Sequence, residues 1–255
     1  MNKKLMVGLF VCSFFILAGC QPKAKVEERK VTGTTYICHQ AISKIKIDGF
    51  LDEKDWQRAK PIKFYRLERK DSQDHKEAES PASGKLLWDK DYLYIGIEAK
   101  DKDIWSTIIE HDGRLWQEDV LEAFFKPNKD KPIYFEFEFN PKNVSLDLIW
   151  PKRDARSLEF AKTFESNLKS AVKVYGTPDN WKDIDNKWVL EVAIPLFAFK
   201  EETTSPKIGD EWSFALCRYD YSVYLEKGLE YSSTAKLSKL NFHFWEDYDR
   251  LLFSE

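Results

Sequence analysis

The chain has 255 residues, of which 43% are hydrophobic and 33% are charged, and its formal net charge is −3. This balance predicts a folded globular protein. It disfavours nucleic-acid binding, which needs clustered Lys and Arg, and the chain has no basic block. The four histidines and four cysteines show none of the spacings that are typical of a zinc site.

The N-terminal segment predicts export. Lys3 and Lys4 precede an apolar run over residues 5–17, which is too short to span a bilayer but has the length of a signal-peptide core. We therefore expect residues 1–19 to be a signal peptide and to contribute nothing to the fold.

Residues 17–20 read LAGC, which resembles the lipobox of bacterial lipoproteins. The resemblance implies lipidation of Cys20, followed by a polar tether over 20–35 and a domain over 36–255. Gln21 stands where an Asp would imply retention at the inner membrane. We expect a lipid-anchored protein of the outer membrane of a Gram-negative bacterium, facing the periplasm or the cell surface.

Two further cysteines, Cys38 and Cys217, remain in the predicted domain. In an exported protein they would form one disulfide, whereas two buried free thiols are equally consistent with the sequence. Both alternatives stay open at this point.

Strand patterns dominate the rest of the chain. Residues 85–88 and 92–99 flank a polar turn and predict a hairpin. Alternation over 133–139 places three Phe on one face and Tyr134, Glu136 and Glu138 on the other, where an exposed strand face is expected. Further strands are predicted at 44–47, 119–125, 145–150, 171–175, 188–194 and 212–219, and short helices at 53–59 and 157–167.

These elements, strand-rich with few helices, predict an all-β fold: a β-sandwich of two antiparallel sheets with one or two short helices. The stretch RLWQEDVLEAFF, residues 114–125, is the ambiguous one, because its apolar residues also fit helical spacing. We interpret it as a polar loop that runs into a strand. Either Leu121, Ala123 and Phe125 then face the core, or Val120 and Phe124 do.

Several short motifs recur in a recognisable order: IDG at 47–49, LDE at 51–53, LWD at 87–89, WQEDVLE at 116–122, FNP at 139–141 and WVLEVAIP at 188–195. Together they resemble carbohydrate-binding module family 9, and most closely its stand-alone lipoprotein relatives. The resemblance extends from about residue 38 to 253. It implies a β-sandwich of the DOMON type.

The resemblance also implies a sugar site, in which two Trp rings enclose a pyranose while a Glu, an Arg and an Asn bind its hydroxyls. Apolar sugar faces suit aromatic rings, and the hydroxyls suit charged or amide groups. By position, Trp116 corresponds to the first Trp and Glu122 to the Glu, and Asn140, two residues after the place of the Arg, is a further candidate for binding the ligand. Trp105, in a predicted loop, is a further candidate for stacking.

Two positions depart from the pattern of the family. Glu138 stands in the place of the Arg, and Phe242 with His243 in the place of the second Trp. The departures predict a ligand that differs from the sugars of the best-known members.

A facing pair of Glu122 and Glu138 would be destabilising unless a cation intervenes. Arg114 or Arg218 would supply that charge, or calcium would, since members of the family bind calcium. We therefore retain calcium as a candidate cofactor.

The function expected from these features is binding of a glycan without chemical turnover. One alternative is a surface assembly lipoprotein that binds another protein and no sugar. Another is a glycoside hydrolase in which Glu122 and Glu138 are the two carboxylates. Haem is not expected, because both methionines, Met1 and Met6, lie in the predicted signal peptide.

Overall fold

The computed structural model describes residues 33–68, 75–153, 163–203 and 205–255. The predicted signal peptide and Cys20 lie outside these ranges, as do most of the predicted tether and most of the helix predicted over 157–167. The part of that helix that is described, 163–167, is not helical. No helix among the described residues is long and apolar enough to cross a membrane.

The strands are β1 (Thr35–Gln40), β2 (Ile62–Lys63), β3 (Tyr65–Arg66), β4 (Ala82–Trp88), β5 (Tyr92–Lys100), β6 (Val120–Lys126), β7 (Tyr134–Phe139), β8 (Ser145–Trp150), β9 (Lys169–Tyr175), β10 (Lys187–Pro195), β11 (Glu211–Tyr221), β12 (Leu229–Ser233) and β13 (Asp249–Ser254), and the short helix is α1 (Lys54–Arg58). The all-β prediction is confirmed. The strand predicted at 44–47 is wrong, because this segment is irregular.

All the strands hydrogen-bond into one curled sheet, whose main path has the order β8-β7-β6-β11-β13-β1-β4-β5-β10-β9. The two layers expected of a sandwich are the two halves of this sheet. They are joined through β1, which pairs in parallel with both β13 and β4. Most other pairings, including β6–β7, β6–β11 and β5–β10, are antiparallel.

The main core lies between the two halves of the sheet. From one half, β6 contributes Leu121, Ala123 and Phe125, and from the other, β5 and β10 contribute residues such as Ile95 and Val192. The alternation of each strand explains this, since every second side chain points inward. Of the two orientations left open for β6, the one with Leu121, Ala123 and Phe125 in the core is correct.

The opposite face of β6 and β11 is also buried. Phe124 packs there against Phe242 and Tyr248, in a second apolar cluster that includes Ala235 and Leu237. The segment over 234–248, which connects β12 to β13, therefore covers part of this outer face. We refer to it as the covering segment.

Both remaining cysteines are buried free thiols, so the disulfide considered above is not formed. Cys38 lies in the main core, whereas Cys217 lies in the second cluster and contacts Ser233. The two side chains occupy different apolar clusters. Of the two alternatives, free thiols are the one observed.

Candidate functional site

A cavity of about 510 Å³ opens on the outer face of the sheet, beside the covering segment. Strands β6, β7 and β8 form one side of it, and β11 and β12 the other. It is lined by Trp116, Glu122, Glu136, Glu138, Leu148, Trp150, Tyr219, Tyr231, Leu240, Asn241, Phe242 and His243.

Three glutamates from neighbouring strands meet in this cavity. Glu122 of β6 is directly opposite Glu138 of β7, and Glu136 lies two residues before Glu138 on the same face. One carboxylate oxygen from each lies within 4.8 Å of the other two. The expectation that Glu136 and Glu138 form an exposed strand face is wrong: their exposed fractions are 4% and 1%, and that of Glu122 is 2%.

Burial and like charge act on the same carboxylates. Burial, and next the neighbouring Glu136, raise the pKa of Glu122 well above its usual range. Burial, and then the three glutamates, also raise the pKa of the Tyr219 phenol. The cavity therefore disfavours additional negative charge and favours a proton or a cation.

Aromatic rings form the walls around these carboxylates. Tyr219 is 5.2 Å from Phe242 and 5.0 Å from Tyr231 between ring centroids, in edge-to-face contacts. On the opposite side, Trp150 stacks with Tyr134 at 6.3 Å and lies edge-on to His243 at 5.4 Å. Edge-to-face contacts of this kind hold the rings in fixed orientations.

Polar contacts fix Glu136 and His243 in turn. The indole Nε1 of Trp150 donates a hydrogen bond to Glu136. The hydroxyl of Tyr134 lies 2.9 Å from Nδ1 of His243, and that nitrogen is 4.0 Å from an oxygen of Glu136. The covering segment is thereby connected to β7 and β8 at the rim of the cavity.

Trp116, which the sequence predicts to be a stacking residue, lines the cavity. It belongs to a 3₁₀ turn over Leu115–Gln117, which buried Leu115 anchors in a small cluster with Val120. The hydroxyl of Tyr221 donates to the carbonyl oxygen of Trp116 at 2.9 Å. The indole is half-buried, so part of it faces the cavity.

Four of the other predicted site residues, Glu122, Glu138, Phe242 and His243, also line the cavity, whereas Asn140 does not. The side-chain oxygen of Asn140 accepts hydrogen bonds from the backbone N–H groups of Lys142 and Val144, and its amide donates to the carbonyl of Ile108. These contacts hold the turn between β7 and β8 and occupy its polar atoms.

Trp105 lines a second cavity of about 420 Å³, which shares no lining residue with the first. Its neighbour there is Trp181, and the two rings are 39% and 65% exposed. The structure therefore separates Trp105 from the three glutamates.

The arginines considered as partners of the glutamates lie elsewhere. Arg218 is fully buried and contacts Asp101 at 2.9 Å and Asp220 at 3.1 Å. Its backbone is paired with Leu121, whose side chain is in the main core. Arg114 precedes the turn of Trp116 and does not line the cavity.

Among the described residues, three groups of carboxylate or histidine side chains have ligand atoms within 4.8 Å of one another, close enough for a metal ion: Asp101, Asp119 and Asp220; His111, Asp112 and Asp147; and the three glutamates. The first group already has a cation, because the guanidinium of Arg218 contacts two of its members. Calcium prefers six to eight oxygen ligands, so the other two groups would each supply only part of a coordination sphere.

Sequence reasoning missed Trp150, Tyr219 and Tyr231, the rings that complete the walls. Each belongs to a strand in which alternation places it on the same outer face as the glutamates. For Trp150 the alternation could have been read from the sequence, because Trp150 lies two residues after Leu148 in a predicted strand and so shares its face. Tyr231 lies in β12, a strand that the sequence did not predict.

The model of the family described as carbohydrate family 9 binding domain-like matches residues 47–226 of the chain. Among solved structures, a proposed carbohydrate-binding protein from Bacteroides uniformis ATCC 8492 has a TM-score of 0.63 at 16% identity, covering 88% of this chain and 100% of that one. No curated protein matches the chain significantly.

A family 9 carbohydrate-binding module from Caldicellulosiruptor kristjanssonii is similar in two complexes. With cellotriose the TM-score is 0.55 at 14% identity, covering 87% of this chain and 94% of that one. With glucose it is 0.53 at 15% identity, covering 86% and 95%. These likenesses support the fold, and the match to the family model covers most of the chain. The chain belongs to the carbohydrate family 9 binding domain-like family.

Proposed function

We propose that this protein binds carbohydrate without chemical turnover, and that the cavity with the three glutamates is its site. The observation that carries the proposal is the combination of aromatic walls with buried carboxylates in one cavity of about 510 Å³. Rings accept the apolar faces of a pyranose, and carboxylates accept hydrogen bonds from its hydroxyls.

Membership of a family of carbohydrate-binding modules supports this function, as do the sugars bound to the two Caldicellulosiruptor complexes. In our proposal Trp116 is the stacking platform, with Phe242 on the other wall, and Glu122 is a hydroxyl acceptor. Asn140 acts indirectly, by holding the turn after β7.

The experiment is a glycan array probed with the purified protein, with and without calcium. Binding to a defined group of glycans that is lost in Trp116→Ala supports the proposal, and a calcium requirement would add the ion as a cofactor. Capture of a protein partner, with no glycan bound under either condition, would favour the assembly role instead.

The lipid anchor is a separate part of the proposal and rests on the LAGC motif at 17–20. We expect the protein to fractionate with outer membranes and Cys20→Ser to release it from them. Unchanged membrane association of Cys20→Ser would contradict lipidation at this residue.

A further inference from the structure

One buried carboxylate in the cavity has no hydrogen-bond donor. Glu122 is 2% exposed and lines the cavity, and it accepts no hydrogen bond from any described residue. The residue directly opposite Glu122 on the neighbouring strand is another acid, Glu138. The charge of Glu136 also acts on Glu122. A buried charged group without a partner is costly, so the site is built for a ligand that brings a donor.

The lining of the cavity suits a cationic donor better than a neutral one. Among the described residues that line it, three are Glu and none is Lys or Arg; the basic side chain there is His243, which lies 4.0 Å from Glu136. Glu136 already accepts a hydrogen bond from Trp150, so Glu122 is the carboxylate that a ligand has to satisfy. A positive group beside Glu122 would also weaken its repulsion with Glu136.

The walls favour an organic cation over a bare metal ion. An aromatic ring attracts a positive charge that is carried on an apolar body. Five such rings line the cavity: Trp116, Trp150, Tyr219, Tyr231 and Phe242. A calcium ion prefers six to eight oxygen ligands, so it would need about three or more beyond the one oxygen that each glutamate brings to the group. An ammonium needs only about three acceptors, one for each N–H.

We propose that the ligand of this site is an amino sugar with a free, protonated amine, held with the amine between Glu122 and Glu136 and the ring against the aromatic wall. The inference rests on the proposed carbohydrate function and narrows it to one class of sugar. An acetylated amine carries no charge and would forfeit the contact.

The test is calorimetric titration of the purified protein with three oligosaccharides of equal length: a β-1,4-linked glucosamine oligomer, its fully N-acetylated form and a cello-oligomer. We expect the glucosamine oligomer to bind about tenfold or more tightly than the other two, because hydrogen bonds to charged groups are the stronger ones. Its affinity should fall as salt increases, whereas that of the cello-oligomer should not.

Glu122→Gln, which keeps the shape of the side chain, should abolish the preference for the amine. Glu211→Gln, a change at an exposed residue at the start of β11, should retain it. A melting curve of each variant checks folding, and the salt dependence of the unmodified protein tests the inference even if Glu122→Gln fails to fold.

Equal binding of all three oligomers, or tighter binding of either neutral one, would overturn the amino-sugar inference and leave the carbohydrate function standing. Binding of none of them, in a protein that also binds nothing on the glycan array, would overturn both. Calcium that binds alone and displaces the amine would also overturn the inference, because a metal would then be the ligand of Glu122.

Discussion

Glu122 on β6 and Glu138 on β7 face each other directly across two hydrogen-bonded strands, and both are buried at the base of one cavity. Like charges in this position destabilise a sheet. Such a pair lowers the stability of the protein unless a proton, a cation or a ligand compensates for the repulsion. The pair is therefore the strongest indication that the cavity is a binding site.

Trp116→Ala is expected to weaken glycan binding by about tenfold or more, because an aromatic platform contributes stacking energy in addition to buried area. The indole is half-buried, so the free energy of unfolding should fall by only about 1–2 kcal/mol. Titration and urea denaturation measure the two quantities. Trp181→Ala, at an exposed ring of the second cavity, is the control that should retain binding.

Loss of binding together with a collapse of stability in Trp116→Ala would assign the ring to the core. Loss of binding in Trp181→Ala, with Trp116→Ala unaffected, would move the sugar site to the second cavity.

Glu138→Arg is expected to place a positive charge beside the other two glutamates of the cavity. The guanidinium would be opposite Glu122 and close to Glu136, and would offer planar donors to both carboxylates. We expect affinity for a neutral cello-oligomer to rise and affinity for the glucosamine oligomer to fall, each by about tenfold. An unchanged preference, measured by the same titrations, would show that these carboxylates do not select the ligand.

Stability should depend on pH through Glu191 of β10. Its carboxylate accepts hydrogen bonds from Asp48 N at 2.9 Å, Gly49 N at 3.1 Å and Trp56 Nε1 at 3.0 Å. Burial nevertheless raises its pKa from 4.5 to about 7. Between these values the folded state binds a proton that the unfolded chain has released, so the free energy of unfolding should fall as the pH rises through this window.

Urea denaturation at pH 5 and pH 8 measures this dependence. Glu191→Gln should reduce the slope of stability against pH, whereas the exposed control Glu211→Gln should leave that slope unchanged. Burial also raises the pKa of Asp101, to about 7, so stability should still fall somewhat with rising pH in Glu191→Gln. A slope of the opposite sign in the unmodified protein would contradict the assignment.

The thiols of Cys38 and Cys217 should be inert in the folded protein. Both are fully buried, and burial raises the pKa of each thiol, so neither forms the reactive thiolate. Iodoacetamide should label them only in denaturant, and a reductant should leave the melting temperature unchanged. A peptide that links Cys38 to Cys217 in a non-reducing digest would contradict this prediction.

The sequence alone was sufficient to predict which side chains share a face of one strand. The alternation in 133–139 and in 119–125 places Phe137 and Phe125 on one face and the glutamates on the other, and the structure has both strands with these faces. A period of two is a local property of a strand, so it can be read without knowing what the strand packs against. The family motifs were also recognisable, because each is a short run of consecutive residues.

Tertiary structure decided what covers those faces. Glu136 and Glu138 resemble an exposed strand face, but they are buried in a cavity whose walls include the covering segment, about a hundred residues away in sequence. The pairing of distant strands also places Arg218 beside Asp101, and it brings Tyr219 and Tyr231 to the cavity. Alternation determines the side of a strand on which a residue lies, but the burial and the charge environment of that residue depend on contacts between distant parts of the chain.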